Sequence, residues 1–280
     1  MVVVLAEILI IHHLILFIMT LLLHVLMFSL LSGGLAEVVQ NFEQECGQFF
    51  ANGKSPTTFT GSQYEQICQT LNNVAHYATL YDTHNRIPVY SAYKFEGIKK
   101  CNRLNKWHIE PQIDDNEAGL SMAFQWNVRC RGERQALNRD YVNSGFHRGH
   151  LAPVYQARSQ DCADATFTLT NVAPQNPSFN SGKWWNVEET LAKDLERLIF
   201  CKHIYIVTGV VPGTCQIKQR VNVPSHFWTA YCCLDHKNRC LPSGGVIGTN
   251  DNKSNITRMT VAVLEEELQN LYRTTFRVFQ

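Results

Sequence analysis

Apolar and polar positions alternate in distinct regimes along the chain. Residues 1–32 are an almost unbroken apolar run with one charged side chain, Glu7, and no Lys or Arg precedes Lys54. Beyond it, Ile67, Leu71 and Val74 recur at helical steps, so the spacing predicts a helix over Tyr64 to His76. Val89–Phe95 reads as a strand, and residues 98–145 carry turn formers and charge with no firm period, as expected of a surface-covering region. Thr166–Asn171 alternates as a strand would. Residues 181–200 give the clearest helix, because Trp184, Val187, Leu191, Leu195 and Leu198 fall on one stripe. Two core strands are predicted at His203–Val211 and Ser225–Leu234, then a helix over Met259–Tyr272 with Val263, Leu264, Leu268 and Leu271 inward. No Pro/Gly/Ser-rich linker divides residues 60–280, so the chain is expected to fold as one α+β domain.

Composition narrows the class. The chain has 280 residues, 45% of them apolar and 18% charged, which excludes intrinsic disorder and leaves enough for a substantial core. The formal charge of +1 excludes a globally basic polyanion binder. Residues 94–158 nevertheless carry eleven basic against seven acidic side chains, a local excess of four. The first apolar run ends in Ser32-Gly33-Gly34-Leu35-Ala36, with small residues three and one before Glu37. That pattern predicts a signal peptide over residues 1–36, cut before Glu37. The run is longer than an ordinary signal's and lacks the positive start, and an apolar run of this length also suits an uncleaved membrane anchor, the alternative. Either way residues 37–280 are exported. All ten cysteines follow the cut, and an even set in an exported chain points to disulfides. Cys232 and Cys233 are neighbours on one strand, so they face opposite ways and take different partners, one of them Cys240 across a hairpin. Asn252 and Asn255 begin glycosylation sequons, as export permits. The organisation is then a leader, 1–36, a Cys-containing lead-in, 37–60, and the domain, 61–280.

Candidate chemistry concentrates between His147 and Glu188. A His-Arg-Gly-His strand, 147–150, is followed by Thr170-Asn171-Val172-Ala173-Pro174-Gln175, then Phe179-Asn180-Ser181-Gly182-Lys183-Trp184 at a helix entrance, and Glu188 two turns further on. Hydrolysing a phosphodiester needs a base for water, a cation against the developing charge and a clamp on the phosphate. This segment carries all of these if it folds as a hairpin onto the helix.

In order and spacing these motifs resemble the DNA/RNA non-specific endonucleases of the ββα-metal type, and within them an exported subgroup that also carries stretches like Tyr81–Pro88 and Ile109–Gln112. The resemblance spans essentially the whole mature chain. It implies a central antiparallel sheet with packed helices and a strand–strand–helix metal finger. It implies catalytic roles for His150 as general base, Arg148 as phosphate-steadying cation and Glu188 as the carboxylate that orients metal-bound water. Asn180 is implied as the direct ligand of Mg²⁺, with Mn²⁺ able to substitute. Asn171 and His147 are supporting residues. His147 stands where the family has Asp, and a neutral ring cannot supply that charge. Arg103 is an uncertain counterpart of a further family arginine and is left outside the site. The implied substrates are DNA and RNA, cut to 5′-phosphate and 3′-hydroxyl ends, and no stable protein partner is implied. The alternative function is an extracellular nucleic-acid-binding or scavenging protein that keeps the fold with little turnover. A membrane is a partner only if the leader is retained.

Overall fold

The structure is a computed structural model that describes His13, residues 16–20 and residues 37–280 except Ser254. The leader expected at 1–36 lies for the most part outside the described residues, as does Ser254 of the first sequon. The chain divides into a unit over Met1–Gly34 and a unit over Leu35–Gln280. In the first, residues 16–20 are helical and exposed. No helix among the described residues is long and apolar enough to cross a membrane.

The second unit is built on an eight-stranded antiparallel sheet. Its strands, in chain order, are β1 (Val38–Val39), β2 (Tyr64–Leu71), β3 (Val74–Asp82), β4 (Ile87–Phe95), then, past four short strands, β9 (His203–Val211), β12 (His226–Leu234), β13 (Cys240–Thr249) and β14 (Ile256–Met259). They lie in the order β1-β2-β3-β4-β9-β12-β13-β14. The intervening short strands form three separate ribbons: β5 (His108–Ile109) with β6 (Ala123–Phe124), β7 (His147–His150) with β8 (Val172–Gln175), and β10 (Cys215–Ile217) with β11 (Val221–Val223). Helices α1 (Phe42–Cys46), α2 (Gln160–Ala165), α3 (Trp185–Glu196) and α4 (Val261–Tyr272) pack around them.

Both faces of the central strands are buried, and the period of two shows how. On β9, Val207 and Val211 enter a core with Trp228, Leu264, Leu268 and Phe276, while Ile206 and Val210 face the opposite side toward Leu191, Trp184 and Phe227. The first core is covered by α1, α4 and the C-terminus; the second by α3 and the segment between β4 and β9, which carries the site.

The mixed α/β class with a large antiparallel sheet agrees with the sequence reading, as do the strands at 89–95, 203–211 and 226–234 and the helices at 185–196 and 261–272. Three expectations change and one strand is added. Tyr64–His76 is a β-hairpin, because Asn72 and Asn73 turn at φ 52° and 62°, a conformation asparagine tolerates and a helix excludes. Its apolar spacing fits a strand that is buried along Ile67–Thr70 and bridged through Cys68 to Cys46. Thr166–Asn171 is not a strand: the Thr166 hydroxyl bonds Ala163 and those of Thr168 and Thr170 bond Glu110, and the ribbon starts at Val172. Val263 is half exposed, with Leu264, Glu265 and Leu268 as the buried positions of α4. Strand β13 was not foreseen, because its glycines hide its pattern: Gly244 lies under the Tyr231 ring and Gly245 under Leu264, where a Cβ has no room. The 37–60 segment packs Phe42, Phe49 and Phe50 into the same core as the sheet.

Cys232 closes the β12–β13 hairpin with Cys240, and Cys233 bonds Cys201 at the end of α3's connection to β9. The two neighbours do face opposite ways. Cys101, Cys130, Cys162 and Cys215 are free thiols. Asn252 Oδ1 accepts hydrogen bonds from Asn176 and Ser178, so its amide oxygen is engaged by the loop before the site helix.

Candidate active site

The β7–β8 ribbon and the start of α3 enclose a cavity of about 440 Å³ lined by Arg103, His147, Arg148, His150, Asn180 and Glu188, with Tyr155 and Trp185 at its side. In β7 alternate residues point to opposite faces, yet His147, Arg148 and His150 all line the cavity. Gly149 pairs with Ala173 and lies beneath the buried Gln175 side chain, which occupies the space a Cβ would need. The chain reaches the helix through a widened π-turn, Phe179–Trp184, anchored by the buried Phe179 and Trp184 rings against Phe227. That turn brings Asn180 and Glu188 to one cavity. On a straight helix eight residues would separate them by about 12 Å.

His150 sits deep in this cavity against Trp107 and Phe167, at ring separations of 5.4 and 5.1 Å. Its Nε2 is buried and has no hydrogen-bond partner in the protein. Burial first, then the Arg103 and Arg148 charges, push its pKa down to about 3, so the ring is a neutral imidazole across the physiological range. Arg148 is half-buried, with its guanidinium 5.0 Å from the Trp107 ring and 5.3 Å from the Tyr141 ring, and with Nη2 donating to Asn138 Oδ1 at 3.1 Å. That sandwich fixes the fork while its charge faces the cavity.

Arg103 also lines the cavity, stacked 5.4 Å from the Phe167 ring. Leaving it out of the site is therefore corrected: the cavity holds two guanidinium groups. The available signal was its place in the basic run Lys99, Lys100, Arg103, Lys106 just before Trp107.

Glu188 is oriented through its backbone, whose carbonyl accepts from Gln156 Nε2 at 2.9 Å, while Gln156 Oε1 accepts from the Tyr93 hydroxyl at 2.7 Å. Burial pushes its carboxyl pKa up to about 8, opposed by Arg103 and the Trp184 indole. A folded-state pKa raised from 4.5 makes the folded chain bind more protons than the unfolded one between about pH 4.5 and pH 8. Stability should therefore fall as pH rises through that window, by a few kcal/mol at most. Glu188→Gln is expected to flatten this part of a melting-temperature profile against pH.

Asn180 and His147 meet at the cavity rim, with Asn180 Nδ2 3.2 Å from His147 Nδ1. In that pairing the amide donates and the imidazole accepts, which leaves Asn180 Oδ1 free toward the cavity. Asn171 does not line it. It is fully buried at the end of a 3₁₀ turn, where Oδ1 accepts from Ser91 Oγ and Ala152 N and Nδ2 donates to the carbonyls of Ala152 and Thr166. It clamps the chain just past His150 to β4.

No group of three or more His, Cys, Asp or Glu among the described residues can cage a metal ion. The donors present are hard and few, the Asn180 amide oxygen and the Glu188 carboxylate, beside the orphaned Nε2 of His150. Such a set fits a cation that keeps most of its waters, as Mg²⁺ does, and does not fit a closed thiolate or imidazole site.

Comparison with known proteins places this geometry. Residues 55–275 match the model of the DNA/RNA non-specific endonuclease family. The chain is 36% identical over 207 residues to the human endonuclease domain-containing 1 protein, a match covering 72% of this chain and 40% of that protein. It is 40% identical over 122 residues to bovine mitochondrial endonuclease G, covering 39% of this chain and 40% of the other. In both cases the match spans less than half of the relative's length. The fold superimposes on a solved chain from the EndoG/EndoGI complex with a TM-score of 0.54 and 20% identity, covering 84% of this chain and 91% of that one. The protein is a member of the DNA/RNA non-specific endonuclease family.

Proposed function

We propose that residues 37–280 act, after export, as a magnesium-dependent endonuclease that hydrolyses phosphodiester bonds of DNA and RNA with little sequence preference. The observation that carries this reading is the convergence of His150, Arg148, Arg103, Asn180 and Glu188 on one cavity.

His150, neutral and unpartnered, takes a proton from water. Its two flanking guanidinium groups draw the anionic phosphate in and hold the charge that builds on its oxygens. Asn180 would hold the divalent cation directly and Glu188 through water. When bound, Mg²⁺ supplies Lewis-acid stabilisation of the phosphorane and of the leaving 3′ oxygen. His150 lies in the ribbon and Glu188 in the helix, so base and carboxylate are fixed by separate elements. Contacts of this kind read phosphate and leave the bases unread, which suits cleavage without sequence preference.

His147 bears on the alternative of a binding protein with little turnover. Its Nδ1 accepts one amide hydrogen of Asn180, work that a carboxylate would also do, so the exchange of Asp for His leaves the ligand oriented. His147→Asp is expected to keep cleavage and to lower the Mg²⁺ concentration for half-maximal rate, while His147→Phe raises it about tenfold. The reading as a whole is tested by incubating the oxidised 37–280 chain with plasmid and RNA. Both should be cut in Mg²⁺ and neither in EDTA; binding without cutting in any divalent cation and at any pH would give first place to the scavenging protein.

A further inference from the structure

The most unusual buried chemistry outside the cavity is a pair of acids at the start of the sheet. Glu37 and Glu110 are both fully buried. Glu110 Oε1 accepts from the hydroxyls of Thr168 and Thr170, at 3.0 and 3.1 Å. Its Oε2 and both carboxyl oxygens of Glu37 have no well-formed hydrogen bond, and the two carboxyls lie close enough to interact directly with each other. Neither acid forms an ion pair among the described residues, and the other titratable group facing them is the buried Tyr77 phenol. Burial, and for Glu37 the neighbouring Glu110 charge, raise both pKa values. Two carboxyls are thus held away from water with three oxygens idle and no cation, an arrangement that costs stability unless a positive donor arrives.

The backbone at this point supplies one. Glu37 N donates to Gln112 Oε1 at 3.1 Å, as does Val38 N at 3.0 Å, and the Glu37 carbonyl accepts from Cys68 N at 2.7 Å. Glu37 N is therefore buried, on the residue whose carboxyl meets Glu110, and it is the atom that the expected cut before Glu37 would turn into a chain terminus.

We propose that hydrolysis of the Ala36–Glu37 bond creates an α-ammonium group that seats against the Glu37 and Glu110 carboxylates and locks the N-terminal strand into the sheet. Water adds across the peptide bond, Ala36 leaves as a carboxylate, and the freed amine of Glu37 takes up a proton. One donor then becomes three: one stays on Gln112 and two reach oxygens that are idle before the cut. The acid pair is a maturation socket, specific for a terminus at this residue. The socket also touches the site framework, since Thr170 precedes Asn171, which clamps the chain after His150. This inference rests on the export reading and not on nuclease activity, so its test uses no substrate.

The full chain is expressed in a secreting cell, and the released protein is sequenced from its N-terminus and acylated with succinimidyl acetate at pH 7.5. The product should begin at Glu37. Its α-amine should react about tenfold more slowly than that of a free peptide beginning Glu-Val-Val, because the ionic contact raises an ordinary α-amino pKa by a unit or more. Glu110→Gln keeps an acceptor for both threonines while removing the charge, and should return the rate toward that of the peptide. A chain carrying one extra residue before Glu37 should melt about 3 °C lower or more. A product that starts elsewhere or keeps its leader, an amine as reactive as the peptide's, or a slow amine that Glu110→Gln leaves slow would each overturn the proposal. The last outcome would mean that burial alone shields the terminus.

Discussion

Replacing His150 by alanine is expected to lower kcat for plasmid and RNA cleavage by about 10²–10⁴-fold, the usual worth of a positioned base. The ring is neutral, buried against Trp107 and Phe167, and flanked by two cations, so no other imidazole in the cavity can take its place. His147 is spoken for by Asn180 at the rim. Removing the ring opens a space about the size of a few waters at an already polar wall, so the fold should persist. A circular-dichroism melt close to that of the unchanged protein, beside the lost rate, separates a chemical role from a structural one. Equal rates in the variant and the parent would remove His150 from the mechanism. The depressed pKa also sets a sign: protonation of this base costs activity only near pH 3, so an acid limb nearer neutrality belongs to a different group.

Asn171→Ala is expected to have the largest effect on stability, about 3–5 kcal/mol, because it strands three buried backbone groups at once, Ala152 N–H and the carbonyls of Ala152 and Thr166, and leaves the Ser91 hydroxyl with Thr79 alone. In a chain of this size that is a fall of about 10 °C in Tm. Cleavage should fall with it even below the new Tm, since the clamp fixes the chain two residues beyond His150. Asn171→Asp, which keeps both acceptor bonds and loses both donor bonds, should fall between the two. A melt unchanged by Asn171→Ala would show that the loop finds other partners. This residue is a positioning one: the motif singles it out, and its burial says how it acts.

Much of the site was legible because it is local. His147 to His150, Asn180 and Glu188 lie within about forty residues, and the strand–strand–helix order brings them together without help from distant chain. Long-range elements were legible only where their periodicity is undiluted, as in Trp184 to Leu195 or His203 to Val211. The Tyr64–His76 hairpin was misread because apolar steps of three and four fit a helix as well as a strand buried along part of its length, and only the turn at Asn72 and Asn73 breaks the tie. Strand β13 escaped because three glycines replace the side chains that would have shown its alternation. Arg103, named as a counterpart of a family arginine, was left outside the site for a different reason. It is one exposed cation in a basic run of four, and the Phe167 ring, more than sixty residues away, is what holds it at the cavity.

The sequence by itself determined the family, the order of the chemical groups, the exported character expected of the chain and the alternation that sends Cys232 and Cys233 to different partners. These follow from short-range spacing and from composition, which survive without knowledge of the fold. Only the tertiary structure decided that Arg103 joins the cavity, that His147 holds the Asn180 amide, that Asn171 clamps the chain after His150 without touching the cavity, and that Glu37 and Glu110 meet in the dark beside the expected cut. Each of these is a contact between segments apart in the chain, and at His150, Glu37 and Glu110 burial turns an ordinary imidazole or carboxyl into a group with a lowered or raised pKa and an unmet hydrogen bond. Spacing along a chain carries periodicity; it does not carry desolvation.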